Sequence, residues 1–151
     1  MWVKGKVHPI WDDSYKNFPY KKKPLNLKGI DPNLGGKLYD MSNPLPGWVY
    51  NIGLHLNHPG YAFYRMDKGD KIPTHHDHYE TYCKIYNQKK ENIRRMIVFL
   101  EDWVPGHVFE IGGTVVENYK AGDYISWTHD EPHSVKNESD IPRYTLQVTG
   151  V

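Results

Sequence analysis

The chain has 151 residues, a single cysteine, and 19 Lys and Arg against 18 Asp and Glu, for a formal charge of +1 with the nine histidines neutral. That length suits one domain with a core that needs neither disulfides nor a structural metal, and the balanced charge provides no field for nucleic acid. Cys83 has no partner for an intrachain disulfide, and no apolar run reaches the length of a membrane span or a signal-peptide core, so a soluble, intracellular protein is expected, with no nucleic-acid or membrane partner. Aromatic residues make up 14% of the chain, with 12 Tyr and 5 Trp, a composition that favours β-structure over helix.

In chain order, residues 1–46 come first. Pro9, Pro19, Pro24, Pro32, Pro44 and Pro46 interrupt any regular element, which predicts an irregular N-terminal arm packed on a domain comprising residues 47–151. Trp2, Trp11, Tyr15, Phe18 and Tyr20 are its candidate anchors, and an excess of lysine leaves open a basic patch for an acidic partner. From Gly47 the pattern changes to short β-like runs between turns: 48–56, 61–66, 95–103, 107–111, 114–118, 123–127 and 144–149. Gly112-Gly113 reads as a two-residue hairpin turn. Only 81–92 lacks a strand pattern, leaving helix or extended loop open. The fold class is mostly β, a jelly-roll sandwich.

The chemistry-bearing residues cluster in two places. His75-x-Asp77 follows a turn at Gly69-Asp70 and lies on a run that can extend as a strand. Residues i and i+2 of a strand share a face, so an imidazole and a carboxylate would project together. His76, His78 and Glu80 would project from the opposite face, and a one-residue change of register swaps the two sets. His76 and His78 by themselves would resemble the His-x-His of a cupin, a metal-binding jelly roll. In the second half, His133 stands after a turn at the start of a strand, where it can close a metal site from a distant strand. Two imidazoles and one carboxylate on one face suit Fe(II). The run 143–149 alternates strictly: Arg143, Thr145, Gln147 and Thr149 share one face, while Tyr144, Leu146 and Val148 share the other. An Arg and a hydroxyl two residues apart would clamp a carboxylate.

Taken as a set, Gly69-Asp70-x-x-Pro73-x-His75-x-Asp77, the run Arg95 to Trp103, Gly122-Asp123, Pro132-His133-Ser134, Asn137 and Arg143-Tyr144-Thr145-Leu146 resembles the 2-oxoglutarate- and Fe(II)-dependent oxygenase superfamily. It is most similar to the short prolyl-hydroxylase-like members of marine phages and bacteria, over about residues 60–150. The resemblance implies a double-stranded β-helix, with His75, Asp77 and His133 as catalytic iron ligands and Arg143 on the distal carboxylate of 2-oxoglutarate. Thr145 matches the hydroxyl of the family's Arg-x-Ser pattern, and Tyr64 lies where such proteins place a tyrosine near the co-substrate. With dioxygen, such a site implies hydroxylation of an unactivated C–H bond on a peptidyl or free amino-acid side chain and conversion of 2-oxoglutarate to succinate.

Two other readings stay open on the sequence. One is a cupin-type metal enzyme using His76, His78 and His133 without a keto acid. The other is a catalytically silent jelly-roll binding module. Asp123 reads as a turn residue satisfying backbone amides, Arg95 as an edge charge or a partner for a substrate carboxylate, and Cys83 has no adjacent base to make it a nucleophile.

Overall fold

Alternation along each strand decides which side chains face inward, and the computed structural model, which describes residues 1–151, resolves the result into two antiparallel sheets. The strands are β1 Trp2–Lys6, β2 Lys21–Lys22, β3 Lys37–Asp40, β4 Gly60–Met66, β5 Lys71–His75, β6 Arg94–Phe99, β7 His107–Ile111, β8 Thr114–Val116, β9 Asp123–Trp127, β10 His133–Asn137 and β11 Arg143–Gly150. A seven-stranded sheet runs β1-β9-β6-β11-β4-β3-β2, and a four-stranded sheet runs β5-β10-β7-β8. The single α-helix, α1, spans Glu80–Tyr86 and falls in the stretch without strand pattern. No helix is long and apolar enough to cross a membrane.

The Gly112-Gly113 turn joins β7 to β8 with φ of +55° and +79°, the left-handed backbone that a two-residue hairpin of matching twist requires. Asp123 accepts from the Lys120 backbone N–H at 2.9 Å, a turn-stabilising bond.

The outer face of the large sheet is apolar. Phe63 of β4, Val98 of β6 and Leu146 and Val148 of β11 are fully buried there, in a cluster that includes Tyr15 and Tyr39 from the arm. Trp11 donates its indole N–H to the Leu100 carbonyl at 3.0 Å, and Tyr15 donates its hydroxyl to Glu101 at 2.6 Å, so the arm is tied down by hydrogen bonds as well as by area. Between its prolines the arm also forms strands: β1 pairs with β9 along five residues, Trp2 opposite Trp127 through Lys6 opposite Asp123. β2 and β3 extend the other edge.

One expected strand does not form. Residues 48–56 instead carry a 3₁₀ turn over Gly47–Asn51 followed by irregular chain, with Val49 and Ile52 buried beneath it. Gly53 has φ +92°, a backbone that breaks extended pairing.

Candidate metal and carboxylate site

β5 and β10 are antiparallel neighbours, and their pairing places His75 directly opposite His133. The ring centroids lie 4.3 Å apart. A register shift between His133 and Val135 loosens the ladder just beyond this pair. Each ring is held from behind in the same way: His75 Nδ1 is 2.8 Å from the Pro73 carbonyl, and His133 Nδ1 is 3.0 Å from the Glu131 carbonyl. A carbonyl only accepts, so each Nδ1 carries the proton and each Nε2 keeps its lone pair.

Asp77, two residues past the end of β5 and 4% exposed, meets both bare nitrogens. Oδ1 is 3.6 Å from His75 Nε2, and Oδ2 is 3.4 Å from His133 Nε2. The candidate ligand atoms of His75, Asp77 and His133 all lie within 4.8 Å of one another, a group that could hold a metal ion. The alternative set is not assembled. His76 and His78 are exposed and belong to no such group, whereas His75 at the end of β5 and Asp77 just beyond it turn inward.

Three further side chains bear on Asp77. Trp127 donates to Oδ2 at 3.1 Å, the Tyr79 hydroxyl donates to Oδ2 at 3.2 Å, and Arg95 Nη1 stands 3.4 Å from Oδ1. Burial would push this carboxyl up, but the positive charge of Arg95 beside it acts the other way, and the carboxyl is held far below the ordinary carboxylate range. Tyr79 has φ +56°, left-handed backbone that costs a bulky residue about 1–3 kcal/mol. Its phenol on Asp77 and its ring under the Arg95 guanidinium, 4.8 Å away, fix it there.

The two sheets enclose a cavity of about 220 Å³ at this point, lined from the large sheet by Tyr64, Met66, Arg95, Ile97, Trp127, Arg143, Thr145 and Gln147, and from the small one by Ile72, His75, Phe109, His133 and Val135. Arg143 is 5% exposed and has no carboxylate partner. Its guanidinium lies over the rings of Phe99 and Phe109 at 5.7 and 5.8 Å, Nη1 reaches the Met66 sulfur at 4.0 Å, and the Tyr119 phenol is the other polar group that bears on it. Burial pushes its pKa down, yet a guanidinium keeps its proton. Arg143 Nε and Thr145 Oγ1 are both buried without a hydrogen-bond partner. An unmatched buried donor costs about 1–3 kcal/mol, and more when charged, so these two atoms on one cavity wall are both free to bond to a group that enters it. The Tyr64 phenol, pushed up by burial and so protonated, is a third donor on the same wall.

The six residues singled out by sequence, His75, Asp77, His133, Arg143, Thr145 and Tyr64, therefore line one cavity. Trp127 and Tyr79 as donors to Asp77, and Gln147 as a cavity residue, are additions. The signal for each was faint: inward alternation along β9 for Trp127 and along β11 for Gln147, and an i+2 spacing from Asp77 for Tyr79. Cys83 lies on α1, half-buried and away from these groups. A groove of about 1110 Å³ adjoins the cavity, bounded by arm residues such as Leu25 and Ile30 and by Tyr82, Ile85 and Tyr86 of α1. Asp77, Arg95 and Gln147 line both spaces.

No family model matches the sequence, and no curated protein matches it. Solved structures do. A prolyl-4-hydroxylase from Pseudomonas putida superposes with a TM-score of 0.62 at 13% identity, covering 97% of this chain and 90% of that one. A cupin 2 conserved barrel domain protein from Salinispora arenicola gives 0.48 at 15% identity, over 87% and 88%. A predicted oxalate decarboxylase from Thermotoga maritima gives 0.48 at 18% identity, over 89% and 99%. The fold is a double-stranded β-helix, the architecture shared with the prolyl-4-hydroxylase.

Proposed function

We propose that the protein is a 2-oxoglutarate-dependent Fe(II) dioxygenase that hydroxylates an unactivated C–H bond of a peptidyl or free amino-acid side chain. The observation that carries this reading is the pair of unpartnered polar atoms, Arg143 Nε and Thr145 Oγ1, buried in the cavity that also holds His75, Asp77 and His133. A metal site with no anionic co-substrate has no use for a buried, unpaired arginine. A silent binding module has no use for two imidazoles whose Nε2 atoms are both kept bare beside one carboxylate.

His75, Asp77 and His133 would hold the iron, two neutral imidazoles and one carboxylate that leave positions open on the metal. Bound iron supplies, with 2-oxoglutarate and dioxygen, the oxidative decarboxylation to succinate and CO2 and the transfer of one oxygen atom to the substrate carbon. The chain's own groups prepare the site. Pro73 and Glu131 carbonyls lock the imidazole tautomers, and Trp127 and Tyr79 orient Asp77. Arg143 and Thr145 take the distal carboxylate, with Tyr64 as a further donor to the co-substrate. Ile72, Ile97, Phe109 and Val135 keep the walls apolar, which strengthens each charge-assisted contact inside.

The test is succinate formation from 2-oxoglutarate in air with added Fe(II). The wild type is expected to give slow substrate-independent turnover, and His133→Ala to give none. Absence of both 2-oxoglutarate binding and succinate formation in the wild type would remove this reading.

A further inference from the structure

The charges around the metal group do not balance, and the excess points to what the substrate carries. Arg95 and Arg143 bring two fixed positive charges to a cavity whose only carboxylate is Asp77. Lys23 at the rim is already matched by Asp40, 2.6 Å away. A divalent ion adds two positive charges and 2-oxoglutarate removes two, so the loaded site keeps one positive charge without a counter-ion. Arg143 is spoken for by the co-substrate, which leaves the excess on Arg95.

Arg95 also stands where a substrate would enter. It lines both the cavity and the groove, next to Asp77, and its side chain remains 22% exposed. Nε donates to Thr149 Oγ1 at 3.0 Å, Nη1 faces Asp77, and the ring of Tyr79 supports one side of the plane. Nη2 has no acceptor. The guanidinium is thus immobilised by three neighbours with one donor pair left over, the condition under which an arginine binds an anion without first losing conformational freedom. Gln147 and Asn26 also line both cavity and groove, and the Gln147 side chain, which makes no hydrogen bond within the chain, supplies a further amide.

We infer that Arg95 is a substrate-binding residue, and that the substrate presents a carboxylate to it close to the carbon that is oxidised: the α-carboxylate of a free amino acid, or the side-chain carboxylate of an acidic residue. The inference rests on the oxygenase reading for the identity of the loaded site. It narrows the substrate class by excluding neutral peptide segments.

The experiment is a binding titration under anaerobic conditions of the Fe(II) protein saturated with 2-oxoglutarate. The probes are free L-amino acids, the same amino acids as α-amides, and the N-acetyl amides of aspartate and glutamate. Loss of one charge-assisted contact predicts that the compounds bearing a carboxylate bind roughly tenfold or more tightly than their neutral counterparts. Tight binding confined to the free amino acids identifies the α-carboxylate as the source, and tight binding by the N-acetylated acidic pair identifies the side chain. Arg95→Met, which keeps an unbranched apolar stem but no charge, should erase the preference, and Arg95→Lys should keep part of it. A residue that merely steadied Asp77 would change Fe(II) affinity and leave the acid-to-amide ratio untouched. Equal binding of acid and amide by the wild type overturns the inference, and so does a ratio preserved in Arg95→Met. Were 2-oxoglutarate itself not to bind, the oxygenase reading would fall. The same titration with Fe(II) alone would still decide whether Arg95 selects a carboxylate.

Discussion

On β11, Tyr144, Leu146 and Val148 turn toward the arm, while Arg143, Thr145 and Gln147 turn into the cavity. The same division runs through β4, where Phe63 packs outward and Tyr64 and Met66 inward, and through β6, where Val98 packs outward and Arg95 and Ile97 inward. One set of strands thus carries two surfaces with opposite energetics. The outer face buries aromatic and aliphatic area and satisfies its polar atoms almost completely, the Trp48 indole N–H being the exception. The inner face leaves a cation and a hydroxyl unmatched and holds Tyr79 in left-handed backbone. The stability of the outer face offsets the cost of the inner one, as expected where a binding site is held ready for its ligand.

Substitutions on the two faces should therefore separate stability from binding. Leu146→Ala on the outer face removes a fully buried side chain and should cost about 2–5 kcal/mol, read as a drop in the denaturant midpoint, with ligand affinities intact under native conditions. Loss of 2-oxoglutarate binding in a folded Leu146→Ala protein would break the comparison. Trp127→Phe on the inner face removes a hydrogen bond to Asp77 but keeps an aromatic ring, and should weaken Fe(II) binding by roughly tenfold in a metal titration. The smallest effect belongs to His107, buried near Arg143 with Nε2–H donating to the Ile141 carbonyl at 2.7 Å. Burial pushes its pKa down, so the unfolded chain takes up a proton first, and the stability held above the ordinary histidine range is lost as pH falls through the folded value. Thermal melts between about pH 7 and pH 5 should fall more steeply for the wild type than for His107→Gln.

Much of this division was legible in sequence because a strand's side-chain period is two. The strict alternation from Arg143 to Thr149 sorted both faces of β11 correctly, and the glycine pair marked its hairpin. His75-x-Asp77 was only half legible, since the neighbouring His76 and His78 have the same spacing one step out of register. What separates the sets is a contact between strands far apart in the chain, His75 opposite His133, together with the Pro73 and Glu131 carbonyls behind the rings. Local pattern was misleading over 48–56, where apolar residues pack onto the sheet from a 3₁₀ turn instead of joining it. The pairing of β1 was hidden for a related reason: it depends on the free edge of β9, which exists only once the sheet has formed.

The central claim is that the inner face is a carboxylate site, and the most direct measurement is the equilibrium affinity of the Fe(II) protein for 2-oxoglutarate in wild type and Arg143→Met. Removing a buried charge-assisted, two-point contact predicts at least a hundredfold weaker binding, and a melting temperature unchanged or raised because an unpaired buried cation has been taken away. Equal affinity in the two proteins, or loss of the fold in Arg143→Met, would contradict the account.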